Sequence, residues 1–156
     1  MLAQRLHDTA IGFGIDRFLK ASTERSQKPI VAFMGGHDTD RDDPAFLKIA
    51  KIARALRQQG FTLVSGGGPG LMEAANFGAF MAPYTETEFE DALRTLANSP
   101  KASNNADWVE SACTVREKLL RRWNARETQN SESLGIPTWY YGNERMAHLN
   151  KNGKDA

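Results

Sequence analysis

The chain has 156 residues, of which 40% are hydrophobic, and its 20 basic and 19 acidic side chains leave a formal charge of +1. A chain of this length buries one sizeable core, so we expect a single domain. The near-neutral charge excludes the broad basic surface that grips a nucleic-acid backbone, but it is compatible with a small anionic ligand. Cys113, the single cysteine, excludes an internal disulfide framework and a cysteine-rich zinc site, and we expect a cytoplasmic protein.

The first 28 residues form the first of three predicted regions. Apolar residues recur at roughly helical spacing from Leu2 to Phe18, so a helical extension is expected over residues 1–28. Charged residues interrupt this stretch, which excludes a signal peptide or a membrane span, and no membrane association is expected. The main domain is expected over residues 29–141 and a polar tail over residues 142–156.

A βαβ unit opens the main domain. The apolar run Pro29–Met34 is typical of a strand that is covered on both faces. An aspartate cap, Asp42 or Asp43, begins a helix that ends at Gly60, and Phe61–Val64 follows as a second buried strand. The spacing of the two strands predicts a parallel pair joined by a right-handed crossover.

Three more helices and a third strand are predicted downstream. The helices cover Leu71–Met81, Glu86–Ala97 and Asp107–Trp123, and the β-rich run Ile136–Tyr141 is the predicted strand. The order of elements indicates an α/β fold in which helices flank a short parallel sheet of about three strands.

A glycine-rich turn lies between the second strand and the next helix. Glycines allow positive φ and close backbone approach, and the first-turn amides of a helix are donors for an anion. We therefore predict a nucleotide- or phosphate-binding site here, and a turn that serves packing alone is the alternative. The predicted binding residues in this segment are Gly66, Gly67, Gly68, Gly70, Leu71, Met72 and Glu73.

Two familiar phosphate-binding motifs do not fit this turn. No start at Gly66, Gly67 or Gly68 places glycines in G-x-G-x-x-G order, so NAD is not expected. No Gly-Lys-Ser/Thr follows the glycines, so the lysine and the magnesium-binding hydroxyl of a P-loop are missing. We predict no cofactor.

A second glycine pair, Gly35 and Gly36, follows the first strand and should reach the same carboxyl edge of the sheet. We expect both glycine segments to line one pocket. His37 and the aspartates after it precede a helix, where acidic residues usually serve as caps, so no metal is predicted. Glu73 either accepts a hydrogen bond from a ligand hydroxyl or stabilises the helix dipole. No Ser-His-Asp order suggests a catalytic triad.

The segment Gly66–Asn76, with Phe33-Met34-Gly35-Gly36 upstream, resembles the LOG family of nucleotide-binding proteins, historically mislabelled lysine decarboxylases. The similarity covers about Pro29 to Tyr141. The resemblance implies a Rossmann-like three-layer sandwich, usually dimeric, that binds nucleoside monophosphates such as AMP. It also implies hydrolysis of the N-glycosidic bond to free base and ribose 5-phosphate.

The sequence departs from this family in two motifs. The second signature, Pro-Gly-Gly-x-Gly-Thr-x-x-Glu, carries much of the phosphate cradle and the catalytic glutamate, and it has no counterpart here. The Met-x-x-Arg-Lys arrangement that supplies the family's active-site arginine is also missing. We therefore expect a truncated, N-terminal half of a longer family member, with little turnover and catalytic residues unknown. An open strand edge in such a half predicts a homo-oligomer, a dimer in this family.

Three functions stay open at this point. The first is a nucleotide-binding LOG-like domain without its own catalytic half. The second is an active nucleoside 5′-monophosphate phosphoribohydrolase that a partner chain completes. The third is a structural oligomerisation module in which the glycine turn binds nothing.

Overall fold

The computed structural model describes residues 9–18, 20, 29–103, 105–120 and 133–136. Residues 9–18 are helical and form α1. The elements that follow are β1 (Ile30–Phe33), α2 (Pro44–Gln58), β2 (Thr62–Ser65), α3 (Leu71–Phe80), α4 (Glu86–Ala97), α5 (Asn105–Leu120) and β3 (Ser133–Gly135). The fold is α/β, with a three-stranded parallel sheet flanked by helices, as the sequence predicted. Apart from residue 20, the rest of the predicted N-terminal extension lies outside the described residues, as does the predicted polar tail.

The strands lie side by side in chain order, β1-β2-β3, and both pairs are parallel. Right-handed crossovers between strands in this order place the connecting helices on the same face of the sheet. Accordingly, Val31, Phe33 and Leu63 pack with alanines of α2 and α3 in one apolar cluster. Strand β1 was predicted to be covered on both faces, and this is wrong: Ile30, 44% exposed, and Ala32, also exposed, share the face that points away from this cluster.

Helix α2 begins and ends where its local signals predicted. The Asp43 side chain caps it by accepting a hydrogen bond from the Ala45 amide at 2.7 Å, and Pro44 occupies the first helical position. Gly60, with a φ of +89°, follows the last turn. The stripe that includes Phe46, Ala50 and Ala53 is fully buried, so this helix anchors the core.

Helix α3 is buried on nearly all sides, from Glu73 to Phe80. The small residues of this helix were expected to let it lie close to the sheet. In the structure they also let it lie close to α2. Ala75 and Ala79 join the cluster that lies on the sheet, whereas Gly78 faces α2. A Cβ at Gly78 would lie within 3.0 Å of the Ala50 backbone, so glycine is what allows α2 and α3 to approach this closely.

Helices α4 and α5 enclose a second apolar cluster with the outer part of α3. Phe77 of α3 and Phe89 of α4 stack with their ring centroids 5.5 Å apart. The Thr85–Glu88 capping box begins α4 at the predicted residue, Glu86. Helix α5 begins at Asn105, two residues before the predicted start, and predicted residues 121–123 lie outside the described part of the chain. Among the described residues, no helix is long and apolar enough to cross a membrane.

The third strand of the described chain, β3, lies directly before the run that the sequence predicted as a strand. The predicted strand was Ile136–Tyr141, but the strand is Ser133–Gly135, and residues 137–141 lie outside the described residues. Ile136 follows the strand, and its amide donates to the Ser65 carbonyl oxygen at 2.8 Å. A Ser-Leu-Gly strand has little β propensity of its own. Its position is set by pairing with β2 and by a buried hydroxyl, and neither is visible as a local sequence pattern.

Candidate functional site

The two glycine segments meet at the carboxyl edge of the sheet. Gly35 and Gly36 follow β1, and the glycine-rich turn follows β2, its parallel neighbour. The Leu71 amide, at the start of α3, donates to the Gly36 carbonyl oxygen at 2.9 Å. The predicted juxtaposition of the two loops is therefore present in the fold.

Three of the predicted glycines lie in tight contact with the neighbouring loop or with α3. A Cβ at Gly36 would lie 2.5 Å from the Leu71 Cγ, and one at Gly66 would lie 2.7 Å from the Met72 Sδ. A Cβ at Gly70 would lie within 3.0 Å of the Gly36 carbonyl oxygen, and the φ of Gly70 is +71°. Leu71 and Met72 thus act here as packing residues that press α3 against the two loops.

Gly35 and Gly67 differ from these packed glycines. Their φ values are +83° and +96°, and a Cβ built on either would have no non-neighbouring atom of the described residues within 4 Å. Both positions adopt a backbone conformation that favours glycine, but only Gly35 is exposed, whereas Gly67 is buried. Met34, directly before Gly35, is 90% exposed at the same edge. Gly68 completes the turn with a φ of +133°, and its peptide bond to Pro69 is cis.

Buried side chains hold Gly67 in its conformation. Its amide donates to the Ser65 Oγ at 3.0 Å, and its carbonyl oxygen accepts a hydrogen bond from the Asn76 Nδ2 at 3.1 Å. The Ser133 Oγ donates to the Asn76 Oδ1 at 3.1 Å, which links the turn to β3. Asn76 and Ser133 are each 1% exposed. Sequence reasoning did not assign Asn76 a role, although an asparagine within an otherwise apolar helix is a readable signal of a buried polar contact.

The first turn of α3 offers an anion fewer donors than its sequence suggested. Gly70 is the N-cap and makes no side-chain cap bond, so the positive end of the helix dipole is not covered by a capping side chain. The Leu71 amide, however, is taken up by Gly36, and the Gly67 amide is taken up by Ser65. Donors for a ligand must come from other amides of the turn and of the first helical turn.

Glu73 lies in the protein interior, where it is 1% exposed. Its Oε1 accepts hydrogen bonds from two nitrogens of Arg41, of which Nε lies 2.9 Å away. The Oε2 is buried and has no partner among the described residues. Burial raises the pKa of the Glu73 carboxyl above its ordinary value, although the Arg41 guanidinium acts in the opposite direction. Of the two roles predicted for Glu73, contact with a ligand hydroxyl is the one that this geometry disfavours.

Arg41, which sequence reasoning missed, joins the loop after β1 to α5. Its Nη1 donates to the Trp108 carbonyl oxygen at 3.0 Å and to the Ser111 Oγ at 2.8 Å. The guanidinium lies over the Trp108 ring, 4.4 Å from its centroid. Its backbone amide donates to the Pro100 carbonyl oxygen at 3.1 Å. Arg41 lies in an acidic loop, where nothing local distinguishes a buried arginine from a solvated one.

Three further features were considered as candidate sites: the His37–Asp38 contact, clusters of metal-ligating side chains, and a cavity. The His37 Nε2 lies 2.9 Å from the Asp38 Oδ1, with both side chains more than half exposed. Within the described ranges, no group of three or more His, Cys, Asp or Glu residues is placed to hold a metal ion. A cavity of about 300 Å³ between α4 and α5 shares no residue with the glycine loops.

The chain matches no protein-family model, and no curated protein is significantly similar to it.

Proposed function

We propose that this chain is a nucleotide-binding protein of the LOG type, which holds the phosphate of a nucleoside monophosphate such as AMP against the two glycine loops. One observation carries the proposal: the loops after β1 and β2 are in direct backbone contact, through the hydrogen bond from the Leu71 amide to the Gly36 carbonyl oxygen. In open α/β sheets, ligands bind in the crevice outside the carboxyl ends of the strands. The crevice beside these loops is therefore the expected binding position.

The chemistry of the crevice favours an anion. Helix α3 points its N-terminus at the loops, and its N-cap, Gly70, contributes no side chain that would compete with a ligand. Gly35 is exposed, and a Cβ there would meet no atom of the described residues within 4 Å, so a phosphate can approach the backbone closely at the first loop. The resemblance of the glycine segment to the LOG family makes a nucleoside monophosphate the ligand class to test first.

Binding is better supported than hydrolysis. Cleavage of an N-glycosidic bond requires a group that stabilises an oxocarbenium-like charge and a group that positions water. Glu73, the carboxyl considered for such a role, is buried and is held by Arg41. The LOG-type hydrolase remains the alternative, with its catalytic groups supplied by a partner chain.

A homo-oligomer in the cytoplasm is part of the proposal. Among the described residues β1 pairs only with β2, so its other edge is open. Ile30, the first residue of β1, and Met34, directly after β1, are both exposed. A second copy of the chain would cover this edge and the apolar side chains. Sedimentation equilibrium should give a mass near twice that of the 17.3 kDa chain, and a strictly monomeric species that unfolds cooperatively would contradict the dimer.

Thermal unfolding with and without ligand tests the binding site. A ligand that binds the native state stabilises it by about 2.7 kcal/mol when its concentration is 100 times Kd. We expect millimolar AMP to raise the midpoint, whereas ribose 5-phosphate and inorganic phosphate should raise it less. Release of adenine from AMP, followed by chromatography, separates the hydrolase alternative from pure binding.

Two glycine variants form a matched pair for this assay. Gly35 and Gly60 have nearly the same φ, +83° and +89°, so alanine imposes a similar backbone strain at both. Only Gly35 lies at the crevice, since Gly60 precedes β2 at the opposite edge of the sheet. Gly35→Ala should abolish most of the AMP shift and Gly60→Ala should retain it. A wild-type midpoint that is indifferent to all three ligands would favour the structural module instead.

A further inference from the structure

The orientation of one peptide group in the glycine turn depends on a buried asparagine. The Gly67–Gly68 peptide is trans, and its carbonyl oxygen accepts the hydrogen bond from the Asn76 Nδ2 at 3.1 Å. The N–H and C=O groups of a planar trans peptide point in opposite directions. With the carbonyl held toward Asn76, the Gly68 N–H must point away from it.

The orientation of the Asn76 amide is determined by its two partners. The Gly67 carbonyl oxygen can only accept a hydrogen bond, so the amide nitrogen of Asn76 has to face it. The Asn76 Oδ1 then faces Ser133, whose hydroxyl donates to it at 3.1 Å. Both side chains are 1% exposed, so water does not compete for these bonds. The network therefore has one consistent arrangement and resists rotation of the Gly67–Gly68 peptide.

A second contact holds the other side of Gly67. Its amide donates to the Ser65 Oγ at 3.0 Å, and this hydroxyl donates in turn to the Met72 carbonyl oxygen at 3.3 Å. Both polar backbone groups of Gly67 are therefore bonded inward, and Gly67 itself is buried. A peptide rotated the other way would present a carbonyl oxygen to the ligand, and this would repel an anion.

We propose that Asn76 is a positioning residue for the bound phosphate: by holding the Gly67 carbonyl inward, it turns the Gly68 N–H toward the anion. The inference rests on the proposed nucleotide-binding function. It adds that the Asn76 side chain orients the N–H group that donates to the anion. Ser133 acts through Asn76, so β3 contributes to the site without touching the ligand. A turn that is already ordered loses less conformational entropy when the phosphate binds, and this raises the affinity for the phosphate.

The first test compares AMP binding by isothermal titration in the wild type, Asn76→Leu and Ser133→Ala. Leucine has a similar size but cannot hold the Gly67 carbonyl, so the Kd for AMP should rise about tenfold or more. Ser133→Ala removes only the hydroxyl that orients Asn76, and a rise of about threefold is expected. Ser133→Ala also keeps the test decisive if Asn76→Leu does not fold. Phe89→Leu, in the core between α3 and α4, serves as a destabilised control and should bind AMP as the wild type does.

The second test needs no ligand. Amide hydrogen exchange measured by NMR should show the Gly67 amide protected in the wild type and in Phe89→Leu, and less protected in Asn76→Leu and in Ser133→Ala. Equal protection in all four proteins would overturn the role of Asn76 in ordering the turn. If the wild type binds AMP and both network variants bind it equally well, the positioning role is refuted and the proposed function stands. If the wild type binds neither AMP nor inorganic phosphate, both the proposed function and the positioning role are refuted.

Discussion

Replacing Arg41 with methionine removes the guanidinium that bonds Glu73, Trp108 and Ser111 and leaves a buried carboxyl without its cation. Removal of one partner of a buried ion pair typically costs about 3–5 kcal/mol. The lost hydrogen bond to the Trp108 carbonyl adds little, because that oxygen also accepts one from the Ser111 hydroxyl at 2.9 Å. We therefore expect Arg41→Met to lower the free energy of unfolding by about 4 kcal/mol, a large part of the 5–15 kcal/mol typical of a domain.

Urea unfolding followed by far-UV circular dichroism measures this loss, and a double-mutant cycle identifies its cause. Arg41→Met/Glu73→Met contains no orphaned charge and should be more stable than Arg41→Met by about 2 kcal/mol or more. The exposed pair of Arg94 and Asp91 is the control, since both side chains are about half exposed or more, and Arg94→Ala should change stability by about 0.5 kcal/mol at most. A loss below about 1 kcal/mol for Arg41→Met, or a double variant no more stable than the single one, would refute the buried-pair explanation.

The pH dependence of the wild type has a defined sign: burial raises the folded-state pKa of Glu73 above the ordinary 4.5, so the folded state binds more protons. The wild type should therefore lose stability relative to Glu73→Gln as the pH rises from about 4.5, in urea titrations at successive pH values. Gly78→Ala places a Cβ against the Ala50 backbone and should cost about 1–3 kcal/mol by thermal or urea unfolding. Thr85→Ala removes the capping box with Glu88 and should cost about 1 kcal/mol in the same assay.

Each of these expectations has an outcome that contradicts it. A wild type that gains stability over Glu73→Gln with rising pH would mean that the arginine outweighs burial and lowers the carboxyl pKa. An unchanged midpoint for Gly78→Ala would show that α2 and α3 separate at no cost. Retention of full stability in Thr85→Ala would mean that other contacts alone determine the start of α4.

Elements with local signals were predicted almost to the residue. Pro44 and an aspartate cap begin α2, Thr85 and Glu88 form the capping box of α4, and Gly60 ends α2, as each residue type favours. The contact between the two glycine segments was also predictable, because consecutive parallel strands end at the same edge of the sheet. These features follow from residues within a few positions of one another or from general rules of connection.

The partners of the buried polar side chains could not be predicted from local sequence patterns. Arg41 bonds partners 32 to 70 positions away in the chain, and Asn76 joins the glycine turn to a strand 57 residues downstream. An arginine beside aspartates and a glutamate in a first helical turn look like solvated surface residues in the sequence. Only the contacts that the loop after β1 makes with α3 and α5 place both of them in the interior.

The sequence by itself therefore determined the helices that carry their own caps, the βαβ unit and the glycine turn as the candidate binding element. The tertiary structure decided which glycines pack and which border open space, the one-sided burial of β1, and the position of β3 at Ser133–Gly135. The physical reason is the separation along the chain of the residues that interact. Caps, turns and periodicity act between neighbouring residues, whereas burial, strand pairing and the partners of buried polar groups are set by residues far apart in the chain.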